Sequence, residues 1–263
     1  MTAPFTIGID IGGTGIKGGI ADLTAGRLEG DIVRVQTPLP ATPNAVADAV
    51  SKVVQQLERQ MEGRRAAAIG VTYPGVIQDG VSRSAANLDP SWVGCDIQTL
   101  FANRLQRTVE VINDADAAVL AEVTYGAGKG VSGIVLVITL GTGIGSALVF
   151  DGKLVPNSEL GHLELDGSDA ETKASAVARE RNELSWEEYS VVLQRYFSHI
   201  EFIFSPDLFI VGGGISACAD EYLPNLRLNA PIVPARLRNN AGIIGAALRV
   251  SVHQTFAPEP NVI

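Results

Sequence analysis

A glycine-rich segment near the start of the chain has the residue types needed to hold a phosphoryl group. It is the run DIGGTGIK from Asp10 to Lys17, whose candidate phosphate-binding glycines are Gly12, Gly13 and Gly15. Glycines tolerate positive φ angles and expose backbone N–H groups, and Thr14 can donate a hydroxyl hydrogen bond to a phosphoryl oxygen. Lys17 adds a positive charge, and Asp10 could hold Mg²⁺ through water. We therefore expect a phosphate-binding hairpin here.

The same segment fits the GxGxxG pattern of dinucleotide-binding proteins at residues 13–18. That pattern requires a helix that begins within the motif, whereas a β-patterned stretch, Gly19 to Asp22, follows it here. Dinucleotide binding is therefore disfavoured.

Two further glycine groups could contact the same donor. LGTGIG, from Leu140 to Gly145, repeats the first turn in the other half of the chain, and VGGG, from Val211 to Gly214, ends a predicted strand. The candidate donor contacts in these two groups are Thr142, Gly143, Gly213 and Gly214. Two glycine turns that face each other would clamp a chain of phosphates.

Asp114 is the candidate general base. Phosphoryl transfer to a hydroxyl requires alignment, charge neutralisation and a base for the hydroxyl proton. Asp114 directly follows a predicted strand at Val109 to Ile112, so its carboxylate can reach a bound hydroxyl. In the alternative interpretation, Asp114 or Asp116 only caps the helix that follows.

The elements that must position these residues repeat between the two halves of the chain. Each half opens with a strand, a glycine hairpin and a second strand, and the first half is predicted as βββαβαβ. A helix begins at Thr42 and Pro43, and another at the capping box of Ser185 and Glu188. We expect two similar α/β domains facing a cleft, residues 1–114 and 115–263. A C-terminal helix at about 244–256 could pack back on the first domain. A single α/β sheet with coincidental glycine turns is the alternative.

The composition excludes several classes of protein. The chain is 46% hydrophobic and 19% charged, which is typical of a folded protein. Its net charge of −9 argues against nucleic acid or an anionic membrane as partner. Cys95 and Cys218 are too few for a disulfide framework or a four-cysteine zinc site. The start of the chain lacks the pattern of a secretory signal, and no apolar run is long enough to span a membrane, so we expect a cytoplasmic protein.

Together these motifs resemble the sugar kinase, heat-shock ATPase and actin superfamily. Asp10 to Lys17 is similar to its first phosphate loop, Leu140 to Gly145 to its second, and Val211 to Gly214 to its adenosine-side segment. ELGH at Glu159 to His162, with NDADAA from Asn113, resembles the repressor, open reading frame and kinase (ROK) family.

The resemblance implies a fold, a reaction and a set of site residues. The fold would be two actin-like (ribonuclease H-like) α/β domains, each with a mixed five-stranded sheet, around a central cleft. The reaction would be phosphorylation of a sugar with Asp114 as base and Mg²⁺ as cofactor. The implied sugar contacts are Gly75, Asn87, Asn113, Asp114, Glu159, His162 and Glu171. Considered apart from ELGH, a lone histidine beside Leu160 and Leu163 is more typical of a packed core.

One departure from the usual sequence of the family points to a particular subgroup of its members. Most members follow ELGH with a CxCGxxGC zinc loop, whereas residues 162–179 contain no cysteine, so no zinc site is expected. This zinc-free form, the LELDG continuation and the short length resemble bacterial polyphosphate glucokinases, including those that accept mannose. The changed spacing also leaves open whether Glu171 replaces the glutamate that follows the zinc loop elsewhere.

The resemblance implies that the protein phosphorylates the 6-hydroxyl of glucose or mannose, with polyphosphate, and also ATP, as the phosphoryl donor. An acidic protein can hold a long polyanion only along a local basic track. The candidate cations are Lys17, Lys129, Arg179, Arg181, Arg195, Arg236 and Arg238. Charge runs such as Arg179 to Arg181 are also typical of a solvated helix face.

Two alternatives stay open at this point: a strictly ATP-dependent hexose kinase and a non-catalytic sugar-binding protein. A sugar-responsive repressor is disfavoured, because it would need a DNA-binding domain before the first strand, which is predicted to begin by Phe5. Either a monomer or a homodimer is compatible with the sequence.

Overall fold

The computed structural model describes residues 5–62, 66–85 and 88–256, with side chains to residue 251. Contacts divide the chain into two compact units. Unit 1 ends at Ala117 and takes in the chain again from Gly242, and unit 2 is Ala118–Ala241. The predicted boundary between the two domains, 114/115, lies close to the boundary between the two units. The predicted domains differ from the units chiefly in the C-terminal helix, which belongs to unit 1 through long-range contacts.

Each half of the chain begins with three strands, and helices and further strands follow them. The first part of the chain forms β1 (Phe5–Ile11), β2 (Gly15–Asp22), β3 (Arg27–Gln36), α1 (Pro43–Gln60), β4 (Ala68–Tyr73), β5 (Ile77–Gln78), β6 (Val81–Ser82), α2 (Ile97–Leu105), β7 (Thr108–Asn113) and α3 (Asp114–Tyr125). The chain continues as β8 (Ile134–Leu140), β9 (Ile144–Phe150), β10 (Lys153–Val155), β11 (Glu164–Leu165), β12 (Ser168–Asp169), α4 (Glu171–Ala174), α5 (Ala176–Arg181), α6 (Trp186–Phe204), β13 (Leu208–Gly212), α7 (Ala219–Tyr222), β14 (Ile232–Pro234) and α8 (Ala241–Phe256).

The two main sheets have the same topology. Sheet 1 has the order β3-β2-β1-β4-β7 and sheet 2 the order β10-β9-β8-β13-β14. In each, the first three strands of the unit form an antiparallel meander and the last two join it in parallel. The predicted pair of similar α/β domains with mixed five-stranded sheets is therefore confirmed.

Apolar side chains on one face of each sheet form its core. In sheet 1, Ile7, Ile9 and Ile11 alternate along β1 and pack with the buried stripe of α1. In sheet 2, Leu136, Ile138 and Leu140 alternate along β8 and pack with the buried residues of α6. The helix starts are as predicted: Thr42 precedes Pro43 in α1, and Ser185 with Glu188 forms a capping box in α6.

Helix α8 packs on the other face of sheet 1, where glycines leave room for its backbone. A Cβ on Gly8 would overlap the carbonyl oxygen of Ile243, and one on Gly70 would overlap that of Ala246. Side chains alternate across a strand, so these glycines face away from Ile7, Ile9 and Ile69 of the core. The close approach sets the position of α8 along β1 and β4.

Candidate active site

The first glycine loop is a closed turn between β1 and β2. The N–H of Gly12 donates to the carbonyl oxygen of Gly15 at 2.9 Å, and Gly13 and Thr14 are exposed at the tip. None of the glycines at positions 12, 13, 15, 141, 143 and 145 has a positive φ. The expectation that glycine supplies positive φ angles in the two loops is therefore wrong. A Cβ added at Gly141 would meet no atom within 4 Å, so the second turn is open at that point.

Thr37, at the end of β3, holds this loop from the side. Its hydroxyl donates to the carbonyl oxygen of Gly12 at 2.6 Å, and its N–H donates to that of Thr14 at 3.3 Å. Thr37 is buried. Thr37 could not be predicted from the sequence, because nothing local marks a threonine more than twenty residues away as part of the loop.

Asp10 is held on both carboxylate oxygens. Thr72 Oγ1 donates to Oδ1 at 2.9 Å, and Lys17 Nζ lies 2.9 Å from Oδ2. The first turn of α8 lies beside it, since a Cβ on Gly242 would be 3.1 Å from Asp10 Cγ. Lys17 therefore balances Asp10 rather than standing as a free cation of the loop.

The donor set around Asp10 fits Mg²⁺ and does not form a metal cage. Mg²⁺ typically binds one or two carboxylates together with substrate phosphates and keeps several waters. In the part of the chain that the structure describes, no group of three or more His, Cys, Asp and Glu side chains could hold a metal ion. A single carboxylate beside a phosphate loop suits a metal that arrives with the donor.

Asp114 begins α3 and is exposed, although Asn113, Ala115 and Asp116 around it are buried. The helix is capped by Asn113, whose Oδ1 accepts from the N–H groups of Ala115 at 2.8 Å and Asp116 at 3.1 Å. Asp114 Oδ1 also accepts from Ala115 at 2.8 Å. Since Asn113 caps the helix, a carboxylate at position 114 is not needed for that purpose.

Asn113 also ties α3 to the loop that carries Gly75. Its Nδ2 donates to the carbonyl oxygen of Gly75 at 3.2 Å. The loop is fixed by Tyr73, whose hydroxyl donates to Ser84 O at 2.8 Å and accepts from Ser82 at 3.1 Å. Gly75 is therefore held next to Asn113 in unit 1. Asn87 lies outside the residues that the structure describes.

The ELGH segment forms a 3₁₀ turn, Leu160–His162, anchored to β9 and α6 of unit 2. Ser146 accepts from the N–H of Leu160 at 2.7 Å and donates to Ser158 O at 2.7 Å. The buried Tyr196 donates to Leu160 O at 3.3 Å. Neither anchor could be predicted from the sequence, because Ser146 and Tyr196 lie 14 and 36 residues from Leu160.

His162 is exposed, so its interpretation as a packed core residue is wrong. Its side chain is 58% exposed, and its Nδ1 lies 3.0 Å from Asp169 Oδ2. The hydrogen bond with Asp169 raises the pKa of His162, and the charges of Glu171 and Glu159 add to the effect. A protonated His162 would present an Nε2–H donor.

Glu159 lies in the same electrostatic group. Although its side chain is exposed, surrounding protein atoms remove part of the hydration of the carboxyl group and raise its pKa. The charge of Glu171 raises the pKa further, while His162 lowers it. The structure thus brings Glu159, His162 and Glu171 together, with Asp169 as a fourth member.

Glu171 connects this group to the second glycine loop. Its Oε2 accepts from the N–H of Ile144 at 3.1 Å, and a Cβ on Gly143 would overlap the same oxygen. Glycine at 143 therefore leaves room for the Glu171 carboxylate. The loop is closed by a bond of 3.0 Å from Gly141 N to Gly143 O, with Thr142 exposed at its tip.

The third glycine segment lies against the base of this loop. Gly213 has a φ of 82°, and a Cβ there would overlap the carbonyl oxygen of Leu140. Gly213 and Gly214 are both exposed and lead into a 3₁₀ turn, Gly214–Cys218. The structure thus places all three unit 2 segments, ELGH, the second loop and VGGG, in one connected region.

No helix among residues 5–62, 66–85 and 88–256 is long and apolar enough to cross a membrane.

Comparison with known proteins identifies relatives that cover nearly the whole chain. The sequence model of the ROK family matches residues 6–176. The polyphosphate glucokinase of Mycobacterium tuberculosis is 49% identical over 242 residues, which is 92% of this chain and 89% of the relative.

Two crystal structures are similar throughout. The inorganic polyphosphate/ATP-glucomannokinase of Arthrobacter sp. strain KM is 68% identical, with a TM-score of 0.92 over 95% of this chain and 100% of the other. A ROK family glucokinase from Streptomyces griseus, in complex with glucose and AMPPNP, is 26% identical, with a TM-score of 0.79 over 92% of this chain and 98% of the other.

Proposed function

The chain belongs to the ROK family, and on that premise we propose that it is a sugar kinase that phosphorylates the 6-hydroxyl of glucose, and of mannose, with inorganic polyphosphate as donor. The names of the Mycobacterium and Arthrobacter relatives support glucose as acceptor and polyphosphate as donor. The Arthrobacter name also supports mannose and ATP as a second acceptor and a second donor.

The observation that carries the proposal is the exposed carboxylate of Asp114. It begins α3 directly after β7, and Asn113 supplies the cap that the helix needs. Asp114 can therefore accept the proton of the sugar hydroxyl as it attacks the donor phosphorus, which is the one proton transfer that this reaction requires.

We assign sugar recognition to the polar groups that the structure holds in defined positions. In unit 2, Glu159 accepts from sugar hydroxyls and His162, oriented by Asp169, donates to them. In unit 1, Asn113 and Gly75 are fixed to each other. A buried polar group that loses its partner costs about 1 to 3 kcal/mol, so a sugar with a missing hydroxyl binds less well.

The glycine segments are assigned to the donor. The exposed tips at Thr14 and Thr142 offer hydroxyl and backbone donors to phosphoryl oxygens. The metal would be Mg²⁺, held by Asp10 and by donor phosphates, and would neutralise charge on the phosphoryl group. Lys17 and Thr72 would keep the Asp10 carboxylate oriented toward that role.

A strictly ATP-dependent kinase is the second candidate. The exposed Gly213–Gly214 segment against the second loop favours it, because an open backbone surface at that point suits an adenosine group. The AMPPNP complex of the Streptomyces griseus relative also favours nucleotide use. A cytoplasmic location and a monomeric or homodimeric state stay predictions.

One experiment separates these functions. The purified protein is incubated with Mg²⁺, with glucose or mannose, and with polyphosphate or ATP, and the sugar 6-phosphate is measured. We expect glucose 6-phosphate from both donors. Product from ATP alone would support the second candidate, and no product from any pair would support a non-catalytic sugar-binding protein.

A further inference from the structure

The seven cations that could bind a polyphosphate differ in whether their side chains already contact other groups of the protein. Lys17 pairs with Asp10, and Arg195 pairs with Asp166 at 2.9 Å. Arg181 donates to Thr172 O at 2.7 Å. The guanidinium carbon of Arg179 lies 3.7 Å from the ring centroid of Trp186. Four of the seven are thus engaged within the protein.

The other three cations are Lys129, Arg236 and Arg238. All three are exposed. Among the residues that the structure describes, none of them forms an ion pair or a side-chain hydrogen bond, in contrast to the four above. Their charges are therefore available to a ligand.

A buried glutamate brings these three residues together. Glu122, in α3, is fully buried, and its Oε2 accepts from the N–H groups of Ala127 at 2.8 Å and Arg236 at 3.2 Å. Its Oε1 accepts from the N–H of Leu237 at 2.7 Å. One carboxylate thus joins the turn that carries Lys129 to the segment that carries Arg236 and Arg238. We call these three cations the basic cluster.

The basic cluster continues from the donor segments of unit 2. Gly213 lies against Leu140 at the base of the second loop, as described above. The turn at Gly214–Cys218 contacts the turn at Arg238–Asn240. The second loop, the VGGG segment and the turn that carries Arg238 are therefore neighbours in unit 2.

We infer that the basic cluster, Lys129, Arg236 and Arg238, binds the distal phosphates of a long polyphosphate chain whose terminal phosphate lies at the second glycine loop, Leu140 to Gly145. The inference rests on the proposed use of polyphosphate. A polyanion carries charge along its whole length, so separate exposed cations can each contact a different phosphate, and arginine can do so with two parallel hydrogen bonds. ATP has only three phosphates and would depend less on the cluster.

The test compares donors of different length. A triple variant, Lys129→Gln with Arg236→Gln and Arg238→Gln, is assayed with saturating glucose. We expect the KM for long-chain polyphosphate to rise about tenfold or more, and by several-fold more than the KM for ATP. Above about 0.1 M salt, the slope of log KM against log salt should fall by about one for each cation removed, as for phosphate contacts in nucleic acids.

A matched control removes three exposed charges elsewhere: Lys52→Gln, Arg59→Gln and Lys153→Gln. Lys52 and Arg59 lie on α1, and Lys153 lies on β10, at the edge of sheet 2 opposite β14. This variant should leave the KM for polyphosphate within about twofold. An equal effect of the two triple variants, or an equal effect on ATP and polyphosphate, would overturn the inference.

A binding measurement separates failure of the inference from failure of the proposed function. Equilibrium dialysis with long-chain polyphosphate needs no turnover. If the wild-type protein forms no product from polyphosphate, the proposed donor is wrong. If it forms product and the triple variant binds polyphosphate as tightly as the wild type, the basic cluster is not the site. Circular dichroism confirms that both variants are folded.

Discussion

The residues assigned to the reaction are mostly held by other protein groups. Both oxygens of Asp10 have partners, the amide of Asn113 bonds to Gly75 and to the start of α3, and Nδ1 of His162 faces Asp169. Fixed partners reduce the reorganisation required when substrate binds. Asp114 is exposed at the start of α3, and its Oδ1 accepts from the N–H of Ala115.

Replacement of Asp114 by asparagine tests its role as base. The amide can still accept from Ala115 N–H but cannot take up the hydroxyl proton. We expect turnover to fall about 10²- to 10⁴-fold, with the free energy of unfolding changed by less than about 0.5 kcal/mol. Steady-state kinetics and urea unfolding measure the two effects. Asp31→Asn, at an exposed position on β3, is the control, and retained turnover in Asp114→Asn would contradict the assignment.

Asp169 should set the protonation of His162. Its hydrogen bond is the largest cause of the raised pKa, so Asp169→Asn should lower that pKa toward the ordinary value. A raised pKa stabilises the protein below the unfolded-state value of about 6.5, and this stability is lost as the pH rises through the folded-state pKa. The variant should therefore lose stability relative to the wild type near pH 6 and not near pH 9.

An NMR titration of the histidine ring protons measures this pKa directly. The chain has only three histidines, so loss of one signal in His162→Gln assigns the resonance. Asp166→Asn is a matched control, since Asp166 lies on the same short hairpin but pairs with Arg195. An unchanged His162 pKa in Asp169→Asn, or an equal decrease in Asp166→Asn, would show that Asp169 does not orient the ring.

At the scale of elements, the long strands and helices could be predicted because their signals are local. The apolar run of β1, the Thr42–Pro43 start of α1 and the capping box of α6 each lie within a few residues of the element that they mark. Two-residue strands such as β11 and β12 have no periodicity to detect. The packing of α8 on the first domain was anticipated, but its position along β1 and β4 could not be predicted, since these contacts join distant parts of the chain.

The residues of the candidate site also divide into those marked by local motifs and those marked only by long-range contacts. Asp114, His162 and the glycine loops were found from motifs, because each motif is contiguous in sequence. Thr37, Thr72, Ser146 and Tyr196 were missed, since each acts on a loop that is distant in sequence. The hydrogen bond from Ile144 N–H to Glu171 was missed for the same reason. So were the bonds from the N–H groups of Arg236 and Leu237 to Glu122.

The fit between α8 and sheet 1 predicts graded effects of alanine substitutions. In Gly70→Ala, the new Cβ would overlap the backbone carbonyl of Ala246, which can move only with the helix. In Gly19→Ala, on the same face, the nearest atoms are the side-chain ends of Leu28 at 3.2 Å and Ile243 at 3.3 Å, which can shift. We expect destabilisation of about 3 kcal/mol or more for Gly70→Ala and about 1 kcal/mol for Gly19→Ala, measured by urea unfolding. Equal losses would show that α8 adjusts to sheet 1.

At the scale of the whole molecule, the net charge of −9 and the polyanionic donor oppose each other. The balance between this repulsion and local attraction depends on distance. Dissolved salt screens interactions between charges that are more than about 30 Å apart at 0.01 M and more than about 10 Å apart at 0.1 M. At very low salt a polyphosphate chain interacts with the charge of the entire protein, and repulsion dominates. At moderate salt only nearby groups matter, and the basic cluster attracts the chain.

This balance predicts a minimum in the KM for long-chain polyphosphate as ionic strength rises. From about 0.01 M to 0.1 M the KM should fall, because salt screens the repulsion from distant acidic groups first. Above that range it should rise, because salt then competes with the phosphates for Lys129, Arg236 and Arg238. Steady-state assays with fixed Mg²⁺ and glucose measure the curve, and the triple variant that lacks the basic cluster should show the fall without the rise. A KM that rises steadily from the lowest salt would mean that the overall charge has no effect on donor binding.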